Sequence, residues 1–498
     1  MNSHQQFYAR DSESLIDPPP TRLYPLIRWC FIIFLFSFVF DYRAPDIEFG
    51  AARTGGSIFQ FAFLGIALAA GGLCTLLGWR FLFVRPGVYL VLLWWGYIAF
   101  MTVITIYQGN ELARVVRLMV SPLLVGLAIN VTLITACAGM RPSVAVRWFL
   151  IVGVISVFWK LGFGVLGTGI PLSEVRMEIL SPAIRFLFAW VACALLLRKK
   201  FTWWVFVILA VPMIPTVLSV TRSIAFPIFF SGVAAVFCLM LGISWRMYDL
   251  RQPVRKLGVI GATAAAGIGC VVVMAMVQPR VIERWTERLF DNSGAGSATT
   301  EDLSSLMRKA EAVSMLEIMD KDPASYLYGK GIGAGYYWSE DYFPELFLVY
   351  PENRHQFAET IYTAGHSIWT YTLFSSGIIG ILITLGAFFY CMWLSLHSGY
   401  LNSKTVMGRR ATDAYLIFLP FIAMLATLSE SITRNPFDER LTGVLFGVMV
   451  ALPQFFYNRA FYLTHRETLA STAPQLILEE EDMDAATWEG SFPNPTTR

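Results

Sequence analysis

The sequence predicts an all-α polytopic membrane protein of about twelve transmembrane helices, with one large, partly helical loop on one side. Three observations predict it. The 498 residues are 56% hydrophobic with a mean hydropathy of +0.57. Apolar stretches of about 17 to 25 residues, each long enough to cross a bilayer as a helix, recur along nearly the whole chain. Basic residues collect in alternate short loops. Helices are the expected spanning element, because lipid offers no partner to an open backbone.

The expected spans lie near 24–40, 57–78, 87–107, 118–138, 147–168, 183–198, 201–219, 223–243, 257–277, 367–395, 412–430 and 441–457. Arg80 and Arg85, Arg141 and Arg147, Arg198-Lys199-Lys200, the group from Arg246 to Lys256, and Lys404 with Arg409-Arg410 fall in alternate loops. The positive-inside bias makes those loops cytoplasmic, and both termini with them. The chain thus divides into a disordered cytoplasmic leader (1–22), an N-terminal bundle (23–277), a large outer loop (278–366), C-terminal transmembrane helices (367–458) and an acidic disordered cytoplasmic tail (459–498). The leader is polar, ends in Asp17-Pro18-Pro19-Pro20 and has no cleavable signal pattern, so the first apolar run is expected to serve as an uncleaved anchor. The tail carries Glu479-Glu480-Glu481-Asp482.

All seven cysteines lie in apolar segments, so small buried side chains are expected rather than disulfides or a metal cluster. No acidic pair on the outer side has clear metal-ligand spacing; Glu340-Asp341 comes nearest. Nothing points to a nucleophile motif, a cofactor or nucleic acid. GKGIGAG (329–335) lacks the spacing of a dinucleotide fingerprint and reads as a flexible turn that lets the loop pass close to the membrane or a ligand.

Of five histidines only His355 and His366 fall on the outer side. His366 stands where the loop re-enters the membrane. An imidazole there can accept a hydroxyl proton near neutral pH, or it is an interfacial ring without a task. Outer arginines run against the positive-inside bias and need a reason. Arg222, in LSVTRSIAF (218–226), is held in a tight turn between two apolar runs. It can grip a phosphate through paired N–H donors, or snorkel to lipid phosphate. Arg308 lies in a loop helix over 303–323, capped by Asp302 or Ser304 and stopped by Pro323. It is expected opposite the apolar stripe Leu303, Leu306, Ala310, Val313, Leu316, where a solvated charge is the ordinary reading. Arg280, Arg284 and Arg288 share one helical face that can rest on lipid headgroups. Arg176, Arg185 and the intramembrane Lys160 complete the candidate binding residues.

Three stretches in this order form a recognisable set: LSVTRSIAF, then the loop-helix arginine followed by SYLYGKGIGAGYY, then GHSIWTYTLFSSGIIGIL. Together they resemble the O-antigen ligase and polysaccharide polymerase superfamily of bacterial envelopes, well over residues 200–395 and by hydropathy alone before that. The resemblance implies a GT-C-like glycosyltransferase of the bacterial inner membrane with a periplasmic active site. Its implied partners are an undecaprenyl-diphosphate-linked oligosaccharide donor, a glycan or lipid A-core acceptor, the lipid bilayer, and chain-length regulator or export proteins. No cofactor and no metal are implied. Arg222, Arg308 and His366 match the family's two arginines and its loop-end histidine. Ser367 departs from the Asn often found after that histidine, which bears on the fine geometry around His366.

The chemistry fits the residues on its own terms. A diphosphate is already a stable leaving group, so it needs cations to offset growing charge more than a strong acid. The acceptor hydroxyl needs a base, and attack opposite the diphosphate inverts the anomeric centre. Residues 278–366 hold eight Lys and Arg against fourteen Asp and Glu, a net charge of −6, which disfavours a phosphate-rich lipid A-core acceptor. The expectation is therefore a polymerase of repeat units. A ligase of finished glycan is the alternative. A flippase or transporter of lipid-linked glycans ranks third, since no inverted-repeat pair of broken helices is visible.

Overall fold

Long apolar runs free of internal charge have one way to satisfy their backbone in lipid, and the chain takes it. The computed structural model describes residues 20–42, 58–167, 179–200, 202–249, scattered positions between 251 and 276, and 279–290, then 303–341, 343–349, 354–363, 365–432, 435 and 439–472. Among these residues the ordered elements are helices, and the only extended pairing is an isolated bridge between Tyr336 and Tyr362.

The N-terminal part runs α1 (Tyr24–Phe36), α2 (Ile58–Gly78), α3 (Gly87–Tyr107), α4 (Leu112–Cys137), α5 (Pro142–Leu166), α6 (Ile184–Leu197), α7 (Trp204–Ser219) and α8 (Ala225–Ser244). The loop region holds α9 (Pro279–Phe290), α10 (Leu303–Asp320), α11 (Ser325–Tyr328), α12 (Pro344–Val349) and α13 (Arg354–Glu359). The chain closes with α14 (Ile368–Lys404), α15 (Val406–Arg410), α16 (Leu419–Ser431), α17 (Arg440–Ala451) and α18 (Pro453–Thr472).

Among the described residues, eight stretches are long and apolar enough to cross a membrane. They are α2 with the turn that extends it to Phe83, α3, α4, α5, α8, α14, α16 with its leading turn, and the α17–α18 pair to Glu467. Helices α1, α6 and α7 are apolar but shorter, at 13, 14 and 16 residues. Most of the expected span at 257–277 lies outside the described residues, as do the leader to residue 19 and the acidic run at 479–482. The final helix continues to Thr472, past the boundary expected at 459, and Arg459 at that boundary is buried against Asp413.

The interior is built on α4 and α17. Every residue of α17 from Leu441 to Ala451 is buried. Gly443 and Gly447, four apart, let α17 lie against the α4 backbone, where a Cβ at either would press on the carbonyls of Ser121 or Val125. Large apolar side chains such as Phe61, Leu92, Ile106 and Leu382 face outward, as a lipid-facing surface requires.

Side-chain contacts join Arg185 at the start of α6 to Glu430 on α16 and Thr442 on α17, Lys160 on α5 to Glu439, and Trp369 on α14 to Ser431. The starts of α6, α8, α14 and α17 and the ends of α3, α5, α7 and α16 therefore meet at one end of the bundle. The long loop packs on that end: Ile332 N–H donates to Thr105 Oγ1 at the end of α3 (2.9 Å), and Asn110 Nδ2 donates to the Lys330 and Ile332 carbonyls (2.8 and 3.1 Å).

Candidate active site

The glycine-rich stretch is a docked strap rather than a loose turn. Helix α14 breaks at Gly377, where φ is +64°, so the carbonyls one turn earlier lose their helical partners. The strap supplies them: Lys330 N–H donates to Phe374 O (2.7 Å) and Gly331 N–H to Ser375 O (2.9 Å). Gly329, at φ +82°, meets the break face to face. A Cβ on Gly329 would run into the Ser375 backbone, and one on Gly377 into that of Leu327.

Past the strap, Tyr336 and Tyr362 exchange backbone hydrogen bonds (2.9 and 2.8 Å), and Trp338 stacks on Tyr362 with ring centroids 4.4 Å apart. This pairing returns the chain to α10 just before residue 366. There the Glu311 carboxylate takes two bonds from one residue. Its Oε1 accepts the His366 backbone N–H at 2.7 Å, and its Oε2 lies 2.6 Å from His366 Nδ1. Glu311 is 2% exposed, whereas the His366 side chain keeps 22% of its surface open. With Glu311 accepting, the ring proton sits on Nδ1 and Nε2 carries the lone pair. The Tyr336 hydroxyl also bonds to Glu311; burial first, then the Glu311 charge, push it well above its ordinary value of 10.0. Ser367 caps α14 by accepting the Trp369 N–H (3.3 Å), the role an Asn fills equally well at a helix start.

Arg308 lies one turn before Glu311 on α10. The buried face of that helix carries Leu306, Ala310, Glu311, Ser314, Met315 and Met319, while Leu316 is exposed and Val313 only partly buried. This corrects the expected apolar stripe. Arg308 is half-buried rather than projecting freely into solvent, and its Nε is enclosed without a hydrogen-bond partner among the described residues.

Arg185, Lys160 and the Arg222 turn occupy the same end of the bundle. Arg185 donates to Glu430 Oε2 at 2.6 Å and to Thr442 Oγ1 at 3.4 Å, with both charges buried. Lys160 pairs with Glu439 at 3.2 Å and sits over the Tyr42 ring. Trp369 Nε1 donates to Ser431 Oγ at 3.0 Å, which ties the start of α14 to the residue after Glu430. A cavity of about 30 Å³, room for one water, lies between Arg185, Glu430, Glu439 and Ile224. Arg222 opens a 3-10 turn joining α7 to α8; its side chain lies outside the described residues, as does Arg176. Two residues before it, Val220 is held at φ +49°, an uncommon conformation for a β-branched residue. Arg284 is half-buried on α9, which docks below this turn through Val281 and through Trp285 Nε1 donating to Val217 O (2.9 Å). Glu340 is ion-paired with Arg354. Among the described residues no three His, Cys, Asp or Glu side chains gather as a metal site.

Two groupings result. His366 is held by Glu311, which stands three residues after Arg308 on α10. The Arg222 turn and the Arg284 helix pack together, and the Arg185 and Lys160 ion pairs lie at the same end. No protein-family model matches the chain, and no curated protein matches it. Glu311 is the participant the sequence reading missed. Its one signal was a carboxylate three residues after Arg308, unremarkable in a helix with four other acidic or basic residues.

Proposed function

We propose that the chain is an inverting, metal-independent membrane glycosyltransferase. It would move sugar from an undecaprenyl-diphosphate-linked glycan to an acceptor hydroxyl at the His366 end of the bundle, polymerising the repeat units of a surface polysaccharide. The observation that carries this reading is the 2.6 Å contact between His366 Nδ1 and the buried Glu311. A carboxylate behind one ring nitrogen fixes the tautomer and orients the other nitrogen as a base. In the reaction Nε2 takes the acceptor hydroxyl proton as the oxygen attacks the anomeric carbon. The bond to the diphosphate breaks from the opposite face, and the leaving charge passes to arginine donors, for which Arg308 and Arg222 are the candidates.

The wider frame belongs to the same proposal: about twelve spans in a GT-C-like arrangement, in a bacterial inner membrane, with both termini cytoplasmic and the site periplasmic. The acidic balance of the loop favours a neutral glycan acceptor over lipid A-core. The test is turnover of lipid-linked oligosaccharide by the purified full chain in nanodiscs. Wild type should consume donor, and His366→Ala should not, at equal protein. Wild-type turnover in His366→Ala removes His366 as the base.

A further inference from the structure

The opposite end of the bundle holds a cavity that the proposed chemistry does not use. Its volume is about 450 Å³, in the range of small-ligand pockets. It lies where α6, α8 and α14 end, and its charged lining is Lys199, Arg246, Asp249, Lys256, Arg409 and Arg410. Five cations face one carboxylate.

Lys256 makes this more than a basic patch. It is 5% exposed, lines the cavity, and its ammonium has no hydrogen-bond partner among the described residues. A buried ammonium left unmatched is unfavourable unless an anion joins it. Lys199 is partly committed, since its Nζ donates to the Arg409 carbonyl at 2.8 Å. That bond fixes α15 against the end of α6 and sets Arg409 and Arg410 at the rim. Arg246 reaches the cavity from a left-handed backbone at φ +58°.

We propose that this cavity binds the phosphate of an anionic lipid headgroup. The helix ends around it place it at the level of a bilayer surface, where such phosphates lie. Arginine forks and a buried ammonium match phosphate oxygens in charge and geometry. The inference is independent of the glycosyl-transfer reading, because it concerns the far end of the bundle and is tested without turnover.

The experiment uses the full chain in phosphatidylcholine nanodiscs, with and without an excess of phosphatidylglycerol, and reads thermal unfolding and co-purified lipid. Phosphatidylglycerol should raise the wild-type midpoint by several degrees, and the Arg409→Gln/Arg410→Gln variant should lose most of that rise. Lys256→Gln should melt higher than wild type in phosphatidylcholine alone, having shed an unmatched charge, yet gain little from phosphatidylglycerol. A rise produced equally by millimolar inorganic phosphate would overturn the lipid assignment in favour of a free phosphate site. Equal gains in wild type and both variants would overturn the site itself. If wild type gains nothing until Glu479, Glu480, Glu481 and Asp482 are neutralised to amides, the cavity belongs to the chain's own acidic run and the lipid proposal falls.

Discussion

The imidazole of His366 and the carboxylate of Glu311 meet at 2.6 Å across 55 positions of sequence, and the same carboxylate holds the His366 backbone N–H. Two bonds from one buried group fix both the position of the residue and the orientation of its ring. Glu311→Gln keeps the shape but offers an amide N–H to Nδ1, which favours the wrong tautomer. Transfer should fall by about 10²- to 10⁴-fold, the usual worth of a positioned base. His366→Ala should fall as far, and the double variant should lose little more. The measurement is initial rate of donor consumption across pH 6 to 9; additive losses would show that the two side chains do not act as a unit.

Tyr336 supports that carboxylate, and its raised hydroxyl gives the support a pH dependence. The neutral hydroxyl is the form the folded loop holds, so its contribution is complete below pH 10 and fades as pH climbs through the raised value. Wild-type protection of 325–366 against hydrogen exchange should therefore decline at alkaline pH. Tyr336→Phe should begin less protected and decline more gently. Parallel curves for the two proteins would count against a hydrogen bond to Glu311.

Gly329 and Gly377 form a second relationship that can be broken singly. Each has a left-handed backbone and each faces the other's chain without a Cβ between them. Alanine costs about 1–2 kcal/mol for conformation alone, and the backbone collision adds to it. Either Gly→Ala variant should undock the strap from α14. Limited proteolysis should then cut near 330, while the transmembrane helices stay inserted. Wild-type protease resistance in both variants would mean that the strap is held elsewhere.

Arg185 and Glu430 are both buried, so removing one leaves the other stranded. Glu430→Ala should destabilise the bundle by about 3–5 kcal/mol, read from thermal unfolding in detergent. Exchanging both for leucine should cost much less than that single change. A Glu430→Ala protein that melts like wild type would show that the pair is solvated.

Much of the fold was legible because a bilayer leaves so few options. The expected spans at 87–107 and 57–78 match α3 and α2 almost residue for residue. Helices that run past the apolar stretch were harder to read. α4 begins at Leu112 with Arg114 and Arg117 in its first turns, and α14 continues to Lys404, since helix propensity carries on where hydropathy stops. The site was legible only where a residue type was rare. One outer histidine at a span boundary stands out, and it proves to be the one held by a buried acid. Glu311 did not stand out, because a glutamate in a loop helix looks solvated until tertiary contacts bury it. The strap was misread for a related reason: glycines mark a sharp or close path, but not whether that path is loose or packed.

The central claim is glycosyl transfer at His366, and one gel tests it most directly. Surface and lipid-linked glycans are compared between cells carrying the wild-type chain, cells lacking it, and cells carrying His366→Ala at equal protein. The account predicts that long surface chains vanish in both deficient strains while the one-unit form remains on its acceptor. Long chains stranded on the undecaprenyl carrier would keep glycosyl transfer but replace polymerase with ligase. Surface and carrier pools identical in all three strains would contradict the account.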